Sequence, residues 1–152
     1  MIEELIPQTG QNLYSHVAKH ARRTVNPSDE TWVALSPSKR GYQTNVHFAL
    51  SVGYYGSFVK CIAKAQSPEK QLLVEVVSKL GSLKPIWIVK GENPVKADRQ
   101  SISEVSTNTS YGLEIGTVLE GVPGESQNEW LKWSLEEIKA IWPFYEYVRK
   151  RV

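Results

Sequence analysis

Three histidines and two pairs of adjacent basic residues crowd into one short stretch of this chain. His16, His20 and His47 are all the histidines it has, and Arg22-Arg23 and Lys39-Arg40 lie between them. Imidazoles titrate near neutrality, so they can act as acid, base or metal ligand, while guanidinium and ammonium groups neutralise phosphate. His16 and His20 stand four apart, the spacing that lets two imidazoles on a helix reach one metal ion. No glutamate follows His16 as a zincin requires, and a single cysteine, Cys61, leaves the ligand set incomplete. No metal or other cofactor is therefore expected.

His16 or His20 could instead work with His47 as an acid and base pair on a phosphoester, with Arg22, Arg23 and Arg40 holding the charge. Two-histidine phosphoesterases carry Thr or Ser two residues after each histidine. Here His47 is followed by Phe48-Ala49 and His16 by Val17-Ala18. Catalysis is thus the weaker expectation and binding the stronger. Lys39-Arg40-Gly41-Tyr42 combines two cations, a flexible backbone and a stacking ring, as sites for phosphate or nucleotide do. Arg22 and Arg23 would extend that patch, although neighbours on a helix point about 100° apart and only one can face a shared ligand. The plain alternative is that short basic runs are solvated surface and that border histidines are hydrogen-bonded structural residues.

The elements that must position these groups read as follows. A helix is expected from about Gln11 to Arg23, ended by Asn26-Pro27, with Leu13, Val17 and Ala21 on its apolar stripe and His16, Lys19, His20 and Arg23 beside it. Thr31 to Ser36, Val46 to Val52 and Phe58 to Ala65 read as strands of an antiparallel meander, with Pro37 to Thr44 as a loop. In the second strand Val46, Phe48, Leu50 and Val52 share one face. His47, Ala49 and Ser51 share the other, where small side chains leave room for a ligand or a packed helix.

Ser67-Pro68-Glu69 starts a helix with Leu72, Leu73, Val76, Val77 and Leu80 inward, closed by Gly81. Ile86 to Val89 reads as a short strand, Gly91 to Ser110 as loop around a short helix, and Tyr111 to Leu119 as a strand whose Gly112 and Gly116 mark a closely approached face. Ser126 and Glu129 have capping-box spacing before a last helix with Leu131, Leu135, Ile138, Trp142 and Tyr145 on one face and a kink expected at Pro143. The expected architecture is α+β, a mostly antiparallel sheet of about five strands with about three helices, in a single domain over residues 1–152.

The string HVAKHARRTVNPSDETWVALSPSKRGY, followed by HF at residues 47 and 48, resembles the signature of a bacterial family of unknown function, the UPF0637 or DUF1054 group. The resemblance covers His16 to about Phe48. It implies a fold and an order of elements, not a reaction. Family members are longer and carry an extra N-terminal segment, and Asn45-Val46-His47-Phe48-Ala49-Leu50 departs from the family's Pro-His-Phe-Gln pattern, as in a shortened, phage-borne or mobile-element relative.

Composition narrows the classes. Of 152 residues 41% are hydrophobic, enough for a real core, and the net charge of +2 excludes a strongly basic or acidic chain, so any charge effect must be local. One cysteine excludes an internal disulfide and, with no signal peptide read, leads to the expectation of a cytoplasmic protein. No apolar run approaches the roughly 20 residues of a membrane span. The function expected is binding of a phosphate-bearing ligand, nucleotide or nucleic acid, through Arg22, Arg23, Lys39, Arg40, Tyr42 and His47. The competing class is a protein-interaction module or small inhibitor acting through Trp130, Trp133, Tyr54 and Tyr55, or a homodimer joined by the last helix.

Overall fold

The computed structural model describes residues 12–17, 30–53, 56–80, 87–90, 93–96, 99–121 and 124–152. β-branched and aromatic residues in period-two alternation build strands β1 (Tyr14–Val17), β2 (Glu30–Ser36), β3 (His47–Gly53) and β4 (Gly56–Ala63). Helix α1 (Lys70–Leu80) follows, then β5 (Trp87–Lys90), β6 (Asn93–Lys96), α2 (Arg99–Thr107), β7 (Leu113–Leu119) and α3 (Gln127–Arg149). The main sheet has the order β1-β2-β3-β4-β7, and every neighbouring pair is antiparallel. With three helices among the described residues, this is the expected α+β architecture.

The meander β2-β3-β4 stands where the alternation puts it, and β7 joins the free edge of β4. The helix expected over 11–23 is corrected. Tyr14–Val17 is an edge strand, paired from Tyr14 with Ser36 to Val17 with Val33. A helical apolar pattern is a weak preference, and the open edge of β2, with its row of unpaired backbone groups, outweighs it. Residues 18–29, which hold His20, Arg22 and Arg23, lie outside the described residues, as do Tyr54 and Tyr55. The expected loop after residue 91 is also corrected: Asn93–Lys96 pairs with β5 as a two-stranded ribbon beside β7, and Pro94 is tolerated because a ribbon consists only of edges.

One face of the main sheet holds the core. Leu35, Phe48, Leu50, Val59, Cys61, Leu113 and Ile115 are buried against Leu73, Val76 and Val77 of α1 and Ile138, Ile141, Tyr145 and Val148 of α3. Phe48 stacks on Trp142 at 5.4 Å and meets Tyr145 at 4.7 Å. Such ring pairs each add about 0.5–1.5 kcal/mol beyond the area they bury. The capping box is present: Ser126 Oγ accepts from the Glu129 amide, and the Glu129 carboxylate accepts from the Ser126 amide at 3.0 Å. The helix then runs on through Pro143 to Arg149. Among the described residues no helix is long and apolar enough to cross a membrane.

Candidate functional site

The opposite face of the sheet mixes small and polar side chains with a few large apolar ones at its margins. The pairing places His16, Ala34, Ala49, Lys60 and Gly116 in one row across five strands. Trp32, Ser51 and Phe58 form the row on one side of it, and His47, Ile62 and Glu114 the row on the other. Period two makes each row share the face. Gly116 is required by the pairing itself, since a Cβ there would lie 2.0 Å from the Val59 carbonyl oxygen.

The loop from residue 37 to 46 folds over this floor and brings Tyr42 to its centre. The Tyr42 ring lies 5.7 Å from His16, 5.4 Å from Trp32 in an edge contact, and 5.0 Å from His47. Side-chain bonds hold the loop at both ends, Ser67 Oγ donating to the Thr44 carbonyl at 2.9 Å among them. His16 Nε2 donates to the Ser38 carbonyl at 2.9 Å. Ser36 Oγ donates to the Gly41 carbonyl at 3.2 Å and accepts from the Ser38 amide. At the far end the Glu69 carboxylate accepts from Asn45 Nδ2 at 3.0 Å and from the Val46 amide at 2.5 Å, and it is ion-paired with Arg149. The C-terminal helix, the start of α1 and the loop thus meet at one buried carboxylate.

Beneath Tyr42 is a cavity of about 180 Å³ lined by Trp32, Tyr42, His47, Lys60, Lys64 and Glu114 over a floor that includes Ala34 and Ala49. Pockets that enclose drug-sized ligands run to about 300–1,000 Å³, so this one encloses a single ring, and the rest of a larger ligand would lie along the open face beside it. Lys60 Nζ lies 3.1 Å from the Glu114 carboxylate and 4.6 Å from the centre of the Phe58 ring. With Lys64 the lining has two cations against one carboxylate.

His47 is 1% exposed, and burial, aided by the Lys64 charge, lowers its pKa from 6.5 to about 4 against the opposing pull of its bond to Asn45. It is neutral at physiological pH. Its Nδ1 lies 2.9 Å from the Asn45 carbonyl, which can only accept, so Nδ1 carries the proton and Nε2 the lone pair. His47 is therefore an acceptor at Nε2 and has no second proton to give there.

Of the residues singled out in the sequence, His16, Tyr42 and His47 come together. His16 does so as a structural donor to the loop. Lys39 and Arg40 are exposed on the loop that carries Tyr42 and do not line the cavity. Among the described residues no group of three His, Cys, Asp or Glu side chains could hold a metal ion. The helical spacing behind a His16-His20 metal pair is lost, because His16 lies in a strand. Trp130 and Trp133 are half-buried against the core, which leaves less of each ring for a partner. Burial pushes the Cys61 thiol far up, so it is an inert core residue.

Sequence reasoning misses Trp32, Lys60, Lys64 and Glu114. Alternation in Thr31–Ser36 and Phe58–Ala65 does separate Trp32, Lys60 and Lys64 from the core positions. What it lacks is the register that sets them beside His47.

Comparison with known proteins bears on the same region. Relatives described as UPF0637 proteins include one from Lysinibacillus sphaericus, 41% identical over 66 residues, covering 43% of this chain and 31% of that protein. One from Enterococcus faecalis is 51% identical over 57 residues (38% and 27%), and one from Bacillus cereus 44% identical over 71 residues (43% and 34%). The aligned part is about a third of the length of these relatives. Residues 1–110, which contain every cavity residue named above except Glu114, match the family described as "Domain of unknown function (DUF1054)". The chain belongs to the DUF1054 family.

Proposed function

We propose that this protein binds a nucleotide on the sheet face beneath Tyr42. The observation that carries the reading is the composition of the cavity: two rings, Trp32 and Tyr42, two ammonium groups, Lys60 and Lys64, and one buried acceptor, His47 Nε2, around a floor of alanines. Rings stack on a base regardless of its identity, at about 1–3 kcal/mol per base. A neutral imidazole lone pair suits the exocyclic amino group of a base and repels a phosphate oxygen, so the base belongs at His47 and the phosphate at the lysines. Lys39 and Arg40, exposed on the covering loop, add positive potential for phosphates outside the cavity. A cytoplasmic setting suits such a ligand.

The test is an NMR titration with the four ribonucleoside monophosphates and, separately, inorganic phosphate. A cavity of this size should give a Kd between about 10 µM and 1 mM for at least one nucleotide, with amide shifts centred on Trp32, Tyr42, His47 and Lys60. Trp32→Leu and Lys60→Met should each weaken binding about tenfold. Shifts with phosphate alone and none from the base would reduce the site to an anion site. No saturable shift at millimolar nucleotide would overturn the reading.

A further inference from the structure

The groove does not end at the His47 cavity. A second cavity of about 230 Å³ adjoins it and shares Ile62, Lys64 and Glu114 as a common wall. Ile62 and Glu114 are directly paired across β4 and β7, so the boundary between the two cavities lies at one cross-strand position, with Lys64 two residues beyond. From the Ser51–Phe58 pair, at one end of the first cavity, to Lys64 is six strand steps, about 20 Å at roughly 3.3 Å per residue. Ser51 and Lys64 both border the first cavity, and the second carries the recess past Lys64 to Gln66 and Tyr111.

The second cavity repeats the chemistry of the first. Tyr111 supplies a half-buried ring where Trp32 and Tyr42 do so in the first. Gly112, on the same face as Glu114, leaves the floor open, as the small side chains of Ala34 and Ala49 do in the first, while Ala63 points to the core behind it. Gly112 cannot carry a side chain, because a Cβ would lie 2.7 Å from the Ala63 carbonyl oxygen. Gln66 adds an amide that both donates and accepts, as the edge of a base demands. Between the two ring-walled cavities stand an ammonium group, Lys64, and the Glu114 carboxylate, whose charge is met by its ion pair with Lys60.

From this repetition we infer that the face takes a single-stranded oligonucleotide of at least two residues, one base at Tyr42 and His47, the next at Tyr111, and the linking phosphate at Lys64. The inference rests on the nucleotide reading above and extends it from a mononucleotide to a strand. Period-two alternation favours such a site: side chains on every second residue leave a line of recesses along one face, as sheet-surface binders of single strands use.

The experiment compares, by NMR titration of the whole chain, the best-binding mononucleotide with its dinucleotide and trinucleotide in ribose and deoxyribose series. The dinucleotide should bind about tenfold more tightly than the mononucleotide in at least one series, the gain of one further stacked base. Lys64→Met and Tyr111→Ala should each bring the dinucleotide-to-mononucleotide ratio towards one, and Tyr111→Phe, which keeps the ring, should restore it. Equal affinities for mono- and dinucleotide would overturn the inference and leave the nucleotide reading standing. A ratio untouched by Lys64→Met and Tyr111→Ala would overturn it as well. Failure of every nucleotide to bind would remove the reading beneath it, which is a different result. Affinity for an extended peptide in the same groove, with none for dinucleotides, would also overturn it.

Discussion

On β3, Phe48 and Leu50 point to the helices while His47, Ala49 and Ser51 point to the cavity, so a single strand serves two unlike environments. The helix-packed face is filled by large apolar side chains that interlock, and it holds the fold together. The face beneath Tyr42 has small side chains for a floor, rings for walls and charges spaced across it. The first face lacks room for a ligand and the second lacks the apolar area for a core. The division assigns stability to one and the proposed recognition to the other, and it can be attacked from either side.

The largest expected effect is on the packed side. Phe48 is fully buried between Trp142 and Tyr145, and Phe48→Ala should cost about 4 kcal/mol from lost transfer and the cavity left behind. Its neighbour Ala49 is on the other face, and Ala49→Leu should fill the cavity beneath Tyr42 while shifting the urea midpoint little. Equal losses of stability in the two variants would break the division.

His47 crosses the division, since it lines the cavity yet is buried like a core residue. The unfolded chain takes up a proton on this imidazole near 6.5, while the folded protein resists until about 4. Between those values the unfolded state binds more protons, so stability is complete above about pH 6.5 and falls as pH drops towards 4. The gap corresponds to roughly 3 kcal/mol. Urea unfolding from pH 7.5 to 4.5 should show this slope in the wild type and lose it in His47→Gln. Parallel curves for the two proteins would mean that His47 is wetter than its packing indicates.

The packed face is legible in the amino-acid sequence. Alternation in residues 46–52 separates Phe48 and Leu50 from His47 and Ala49 because a strand's period is fixed at two, and Ser126 with Glu129 announces α3 because a capping box is local chemistry. The helix expected over residues 11–23 fails because the partner that decides β1 is Ser36–Val33, some twenty residues away, and no local pattern reports it. The cavity face is legible only in fragments for the same reason. His16, Tyr42 and His47 are marked by residue type, but Lys60 and Glu114 reach them through strand register. The helix stripe is likewise off by a few positions: Ile141, Phe144 and Val148 are buried alongside Ile138 and Tyr145, while Leu135 and Trp142 are only partly covered.

Two of the ion pairs, one on each face, restate the contrast in electrostatic terms. Glu69 is paired with Arg149 in a buried setting and also accepts from Asn45 and Val46. Removing one partner of a buried pair costs about 3–5 kcal/mol. Glu69→Gln keeps an oxygen for the Val46 amide, and Arg149 retains some contact with water, so roughly 2 kcal/mol is expected. Because the Asn45 carbonyl accepts from His47, this variant should also move the His47 imidazole resonances in an NMR spectrum. A stability loss with unshifted His47 signals would show that the carboxylate holds the helices and not the site.

Lys60 and Glu114 form the other pair, and each side chain is about one-fifth exposed, at 19% and 21%. Water still reaches both charges, and such pairs contribute about 0.2–1 kcal/mol. Lys60→Met keeps the stem that covers Phe58 and Ala49 and deletes only the charge, so its stability loss should stay below about 1 kcal/mol. On the other face the same substitution leaves Glu114 without its partner in the cavity where we propose that a phosphate binds. Nucleotide affinity should therefore fall more than stability does, and the salt dependence of binding should flatten. A Lys60→Met protein that loses several kcal/mol of stability while binding normally would place this ion pair with the core, and the boundary between the two faces would have to be redrawn along β4.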